Sequence, residues 1–206
     1  MSHNKTAVLI ALTLGILPIA SQAADANFTG PTIGARVSYV DNEVDYSGFL
    51  AGRSSSDNDT AFDLSAGYGF NLGKDWVLNV GASYTLNDTD FGTVNYVDGG
   101  NQTVTAKLKN HWSLSIEPGY RFTPQWLGFV SLSYHNAEGE YRDSQIGTGT
   151  VDTNGFGYGL GLSYAYNRNV EVGVELKQID FSRETVNLSS GEPEVTQFGL
   201  RLNYRF

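Results

Sequence analysis

Nine charged residues carry most of the chemistry this chain could do. Arg36, Arg121, Lys177, Arg201 and Arg205 supply cations, and Asp63, Glu117, Glu171 and Glu175 supply carboxylates. Each stands on the polar side of a stretch in which apolar and polar residues alternate. Because a strand switches faces at every residue, all nine are expected on one face of a sheet. A charge taken out of water costs several kcal/mol unless it is paired and hydrogen-bonded. The set therefore reads either as a structural ion-pair core or as a gated ion path in which one pair exchanges partners. His135 has the same parity. A histidine acts as a general base only with a nucleophile in hydrogen-bond reach, and no such pair emerges from the sequence, so a rim hydrogen bond is expected of it. The acidic pairs Asp57-Asn58-Asp59 and Asp88-Thr89-Asp90 could offer oxygen ligands to Ca²⁺ or Mg²⁺. Neither has the spacing of an EF-hand loop. They read first as solvated loop faces, and the metal question stays open.

The elements that must position these residues are eight alternating segments. One face carries Ile33, Ala35, Val37 and Tyr39 in the first, and Phe62, Leu64, Ala66, Tyr68 and Phe70 in the second. The third has Trp76, Leu78, Val80, Ala82 and Tyr84, and the fourth has Trp112, Leu114, Ile116, Tyr120 and Phe122. The fifth has Trp126, Val130, Leu132 and Tyr134, with Leu127 and Phe129 breaking the alternation, as a bulge or an apolar spot among the polar residues would. The sixth has Phe156, Tyr158, Leu160, Leu162 and Tyr164 against Gly157, Gly159 and Gly161, a glycine lining that leaves room for a pocket. The seventh has Val170, Val172, Val174 and Leu176. The eighth is Phe198-Gly199-Leu200-Arg201-Leu202-Asn203-Tyr204-Arg205-Phe206. Segments of roughly 9 to 13 residues suit tilted strands that cross a bilayer, and none keeps a 3.6-residue period.

The connections alternate in length. Residues 72–75, 123–125 and 167–169 are tight turns rich in Gly, Pro and Asn. Residues 40–59, 87–110, 136–154 and about 180–194 are long and polar, and read as loops. In the second of these, alternation resumes at Val94 and Tyr96 and runs from Val104 through Ala106 and Leu108 into Trp112 without a parity break. Asp98-Gly99-Gly100-Asn101 lies between as a turn signal. A protruding hairpin is expected there. Aromatic residues fall near both ends of the segments, as two interfacial girdles would.

Composition narrows the class. Residues 1–23 have a Lys5 n-region, an apolar stretch from Ala7 to Ala20 and small residues at Ser21 and Ala23, the layout of a secretory signal peptide; the mature domain is expected over 24–206. With no cysteine in 206 residues, disulfide scaffolds and thiolate sites are excluded. A net charge of −9 argues against a nucleic-acid partner. A soluble sandwich or lipocalin-like barrel also shows alternating strands, but its outward face would carry the charges. Here the charges share the face without the aromatics. The expectation is an all-β, eight-stranded antiparallel transmembrane β-barrel with short periplasmic turns and long extracellular loops.

Gly119-Tyr120-Arg121-Phe122 before a Pro-containing turn, the closing Leu202-Asn203-Tyr204-Arg205-Phe206 and the eight-segment pattern resemble the small outer-membrane β-barrels: the OmpA transmembrane domain, OmpX/Ail and opacity-type proteins. The resemblance covers the mature chain. It implies residence in the outer membrane of a Gram-negative bacterium, and contact with its lipids and lipopolysaccharide. It also implies handling by the barrel-assembly machinery through a terminal Phe206 signal, no cofactor, and no peptidoglycan-binding module. Tyr134-His135-Asn136-Ala137 resembles a stretch of the lipid A deacylase barrels, with Ala137 where the serine nucleophile would stand. Three functions follow as expectations: a structural and surface-interaction protein meeting an extracellular ligand through its loops, a small channel for ions or apolar solutes, and a lipid A-modifying enzyme that lacks its nucleophile. If Phe206 acts in assembly, deleting it lowers the folded fraction in the outer membrane and leaves refolding into detergent largely intact. Equal loss in both assays would assign the residue to packing.

Overall fold

The computed structural model describes residues 27–48, 51–97, 101–144, 147–186 and 189–206. The signal segment expected over 1–23 lies outside them. Every regular element is a strand: β1 Gly30–Gly48, β2 Ser54–Asn71, β3 Trp76–Thr85, β4 Thr89–Val97, β5 Asn101–Arg121, β6 Trp126–Asp143, β7 Gly147–Ala165, β8 Val170–Phe181, β9 Glu184–Val186 and β10 Ser189–Arg205. Antiparallel ladders join β1-β2-β3-β5-β6-β7-β8-β10, and β10 returns to β1. The ring therefore has eight members. β4 continues the line of β3 beside β5, and the short β9 pairs with β10. Closure leaves the membrane zone with no free edge.

The three tight turns are where the sequence places them. Asn71 Oδ1 accepts the Gly73 amide, Thr123 Oγ1 accepts the amides of Gln125 and Trp126, and Asn167 Oδ1 accepts those of Asn169 and Val170. Such side chains satisfy a turn's own backbone. Between the turns and the far ends, the outward face is apolar. Ile33, Val37, Leu64, Leu114, Leu160, Leu200 and Leu202 are all exposed, as lipid-facing positions should be. Aromatic pairs mark both rims, with Trp76–Tyr120, Trp126–Tyr164 and Tyr204–Phe206 near the turns and Trp112–Tyr134 and Tyr134–Phe156 at the opposite rim.

Most described residues of the long polar stretches are strand rather than loop. β1 runs 19 residues and β5 runs 21, well beyond the ~9–11 that a bilayer requires. The sequence misleads here because the apolar face changes sides at the outer rim. Below it, β1 turns Val37 and Tyr39 outward. Above it, β1 buries Val40 and Val44 and exposes Asp41, Glu43 and Asp45. With parity unchanged, polar residues now face water, so the strand reads as a loop. β5 reaches the same end by another route. Its register with β6 shifts between Lys109 and Trp112, and Asn110 sits at φ +51°. That bulge buries Leu108 while Trp112 faces out, so the unbroken parity expected from Val104 into Trp112 does not hold. The expected hairpin itself is present as β4 and β5.

The inversion creates an apolar lid. Val40, Val44, Ala61, Phe91, Leu108, Ala137, Ile179, Phe181 and Val195 form one buried cluster inside the extracellular end of the ring. A second cluster closes the turn end, where Phe28, Val77, Leu127 and Ala165 meet. Phe28 is fully buried at φ +73°, and Asn27 anchors it by donating to Pro124 O at 2.6 Å.

The outer surface of the extension places like charges opposite one another: Glu43 faces Glu194, Asp45 faces Glu192, and Glu194 faces Asp180. Partial desolvation pushes the Glu194 carboxyl above its ordinary range, and Asp180, Glu43, Asp45 and Glu192 push the same way. A raised carboxyl means that the folded state binds more protons, so stability falls as pH rises from the ordinary value through the raised one. Glu194→Gln should raise the unfolding free energy at pH 7 by a few tenths of a kcal/mol, about the worth of an exposed charge contact, read from denaturant titration. At pH 3 the gain should vanish.

Candidate functional site: the charged lumen

Between lid and floor the inward positions are polar, and here the sequence-picked charges meet. Arg36 donates to Asp63 at 2.8 Å and to Glu175 at 3.0 Å. Lys177 holds Glu175 at 3.1 Å, and Arg201 lies 3.8 Å from the same carboxylate. Arg201 also grips Glu117 with two bonds of 2.9 and 3.0 Å. Nearer the floor, Arg205 grips Glu171 at 2.6 and 3.2 Å and donates to Gly30 O at 2.8 Å. Four cations and four anions thus balance. Bidentate arginine–carboxylate pairs are among the strongest charge-assisted arrangements, and a narrow eight-stranded lumen leaves such side chains little else to do.

Arg121 does not join them. It has inward parity but sits at the turn end, where it donates to the carbonyls of Asn27, Gly73 and Lys74 and to Asn71 Oδ1. It clamps the β2–β3 turn and the segment that carries Phe28.

The glycines of β7 do not leave a pocket. A Cβ at Gly161 would overlap the Phe129 ring, one at Gly159 would press on Lys177, and one at Gly157 would meet Ser133 and His135. The stripe makes room for neighbours. Phe129 turns inward without a bulge, with Gly119↔Phe129 and Ile116↔Leu132 in one register, and the Arg201 guanidinium lies 4.1 Å over its ring. This is a cation–π contact. A cavity of about 80 Å³, roomy enough for water, is lined by Thr32, Ser65, Asn79, Ser115 and most of the charged residues.

His135 belongs to a chain that the sequence did not reveal. Thr85 donates its hydroxyl proton to Asp63 at 2.6 Å, so its oxygen must accept from His111 Nδ1 at 3.1 Å. With both imidazoles neutral, His111 Nε2 accepts from His135 Nδ1 at 2.8 Å. His135 Nε2 in turn lies 2.8 Å from the Ser133 hydroxyl, which also reaches Gly157 O at 3.4 Å. A serine does stand in reach of His135, two residues before it rather than two after. Residues i and i+2 of a strand share a face, and that signal was present in the sequence. His111 shares the face of Ser113 by the same rule, and the Asn110 bulge lies just above it. The pair is buried under Phe181, whose ring centroid lies 6.0 and 6.3 Å from the two imidazoles.

The acidic pairs outside are engaged locally. Asp90 meets Lys107 at 3.0 Å and Asp88 lies 3.8 Å from Lys109, while Asp57 and Asp59 accept the next backbone amides. Lys109 also pairs with Glu140 at 2.9 Å, which holds the lysine up and the carboxyl down from their ordinary values. Among the described residues no three metal-ligating side chains converge.

The sequence matches the outer membrane protein beta-barrel domain family over residues 9–206. The chain belongs to that family. Among solved structures it is similar to Neisserial surface protein A (NspA), at 18% identity, 86% of this chain, 98% of that chain and a TM-score of 0.50. It is also similar to the outer membrane protease OmpT from Escherichia coli, at 9%, 91%, 100% and 0.51. Ail of Yersinia pestis, solved with the heparin analogue sucrose octasulfate, gives 15%, 84%, 99% and 0.44. These identities carry the fold alone. No curated protein matches the chain. The protein is an outer-membrane β-barrel.

The Arg205–Glu171 pair tests the energetics of this lumen. Removing one partner strands a buried charge, which costs about 3–5 kcal/mol, whereas replacing both by apolar residues of similar volume is often near neutral. Arg205→Met should lower urea unfolding stability by that amount, and Arg205→Met with Glu171→Leu should recover most of it. Additive losses would mean that the pair is not an isolated unit.

Proposed function

We propose that this protein is a closed barrel whose function lies outside the membrane, in contacts made by its extracellular β-extension, with a structural contribution to the envelope. The observation that carries this reading is the pair of apolar layers that bracket the ion pairs. A conducting path would have to displace the lid around Phe91 and Phe181 and the floor around Phe28, and also break ion pairs inside. Each step costs several kcal/mol.

The same burial argues against lipid chemistry. Ser133 and His135 face the lumen beneath the lid, while an acyl ester of lipopolysaccharide lies on the far side of the wall. We read the chain from Ser133 to Asp63 as a polar brace that satisfies buried groups and orients Asp63 toward Arg36. The extension, by contrast, is built to meet something. It rises on strands of up to 21 residues, carries an acidic exterior, and places Asp41 two residues above Tyr39 and Glu194 four residues above Phe198. At that height divalent cations would bridge its carboxylates to lipopolysaccharide phosphates. Export through a cleaved signal peptide and insertion by the barrel-assembly machinery through Phe206 complete the proposal. Phe206 is 68% exposed, its amide donates to Pro31 O at 3.1 Å and its ring meets Tyr204 edge-on.

Planar-bilayer recording tests the closed state. The purified protein should insert without resolved conductance steps, and Phe28→Ala should stay silent because the lid remains. Steps in the unsubstituted protein would overturn the proposal and favour the channel. Surface display on cells, followed by a panel of extracellular-matrix, serum and lipid ligands, tests for contact.

A further inference from the structure

Both histidines among the described residues meet in one contact, at the outer rim where the polar lumen gives way to the apolar lid. His111 Nε2 and His135 Nδ1 are 2.8 Å apart, a gap that holds one proton. In the neutral pair that proton belongs to His135, and His111 Nδ1 donates to Thr85. An added proton fits on His135 Nε2. Ser133 then accepts from that nitrogen and turns its own proton to Gly157 O at 3.4 Å. A second proton has no place. It would have to sit on His111 Nε2, which already faces an N–H, so two imidazolium rings there set donor against donor and charge against charge.

The surroundings do not offset two such charges. Asp63 on β2 and Glu175 on β8 face the pair as anions, and Arg36 on β1 and Lys177 on β8 face it as cations. These four are already joined to one another, Arg36 to both carboxylates and Lys177 to Glu175.

The lid stands on the same residues. The Phe181 ring lies edge-on to both imidazoles. Leu108 is three residues above His111 on β5, Ala137 is two above His135 on β6, and both belong to the lid cluster. At this height the β5–β6 ladder is interrupted between Lys109 and Trp112, with Asn110 at φ +51°. Here the two strands have the fewest backbone bonds to break if they part.

We propose that the His111–His135 pair is an acid-operated latch on the lid. Neutral, it holds β5 to β6 beneath Phe181; doubly protonated, it parts them and admits water to the upper lumen from the extracellular side. The floor around Phe28 is untouched, so acid opens a vestibule and not a channel. The closed barrel described above is then the neutral state of a two-state lid. With the lid open, each imidazole titrates near its ordinary value of about 6.5. Falling pH favours the state that binds more protons, which is the open one, and between pH 7.5 and 4.5 two such groups shift the balance by up to about 10⁴-fold.

The test puts a thiol into the lid of this cysteine-free chain. Ala137→Cys occupies a buried position of the cluster. In liposomes, its reaction with 4,4′-dithiodipyridine, a disulfide reagent active in acid, is timed and divided by the rate of the denatured protein at the same pH. Labelling at pH 4.5 should be about a hundredfold or more faster than at pH 7.5, reversibly and with the sheet's circular dichroism unchanged. Adding His111→Gln and His135→Gln, whose carboxamides bond but do not titrate, should abolish the response. If that variant does not refold, His135→Gln alone decides, and it should cut the response about tenfold or more. Equal rates at the two pH values overturn the latch. So does an undiminished response in the glutamine variants, which would assign it to Asp63 or Glu175, and so does loss of the sheet at pH 4.5, which is acid unfolding. Conductance steps at neutral pH would instead fail the closed-barrel reading, so failure of the latch and failure of that reading are told apart.

Discussion

Eight charges enclosed in a narrow tube are the constraint on which this structure turns. Left unpaired, each would cost several kcal/mol. Arg36, Lys177, Arg201 and Arg205 are matched to Asp63, Glu117, Glu171 and Glu175, and the surroundings are shaped to keep the match. The glycines of β7 withdraw so that Lys177, Phe129 and His135 can occupy the lumen. Phe129 supports Arg201 from below. The chain through Thr85, His111 and His135 to Ser133 extends from the Asp63 carboxylate that also holds Arg36. Apolar layers at both ends cover this polar core, as water exclusion strengthens the attraction between partners already in contact.

The second organising event is the reversal of the apolar face at the outer rim. Within the membrane the solvent is outside the ring and is lipid. Above it the solvent outside is water, and the only dry place left is the interior. The same ring therefore behaves as an inside-out protein below Tyr39 and as an ordinary soluble barrel above it. β1 makes the change by exchanging residue types at Tyr39 and Val40, and β5 makes it with a bulge at Asn110. At β2 and β4 the reversal coincides with the loss of a ladder, and side chains such as Asn87 bond across the junction instead.

These two features explain what the sequence could disclose. Parity reports which face a residue takes, so the ring, its lipid-facing wall and the inward placement of the charges were legible from alternation alone. Parity does not report height along the barrel. Arg121 therefore looked like a member of the network, although it stands at the turn end among backbone carbonyls. Polarity also stood in for irregularity, so strands that continue above the membrane read as loops. The Ser133–His135 pair was within reach of the rule that alternate residues share a face. His111 was within reach of the same rule, since it shares the face of Ser113. What alternation does not carry is the Asn110 bulge above it, a local backbone event signalled only by an asparagine able to adopt a positive φ.

The central claim is that the polar lumen is sealed from water on both sides. The absence of native cysteine allows a direct measurement: a single Ser131→Cys substitution places a thiol at a fully buried inward position of β6, and its reaction with a small water-soluble maleimide is timed in the folded protein in liposomes, with the reagent supplied to both faces. The account predicts that labelling proceeds only at the rate of global unfolding and becomes immediate in denaturant. Rapid labelling of the folded protein would show an open water path past the Phe28 floor or the Phe181 lid, and would contradict it.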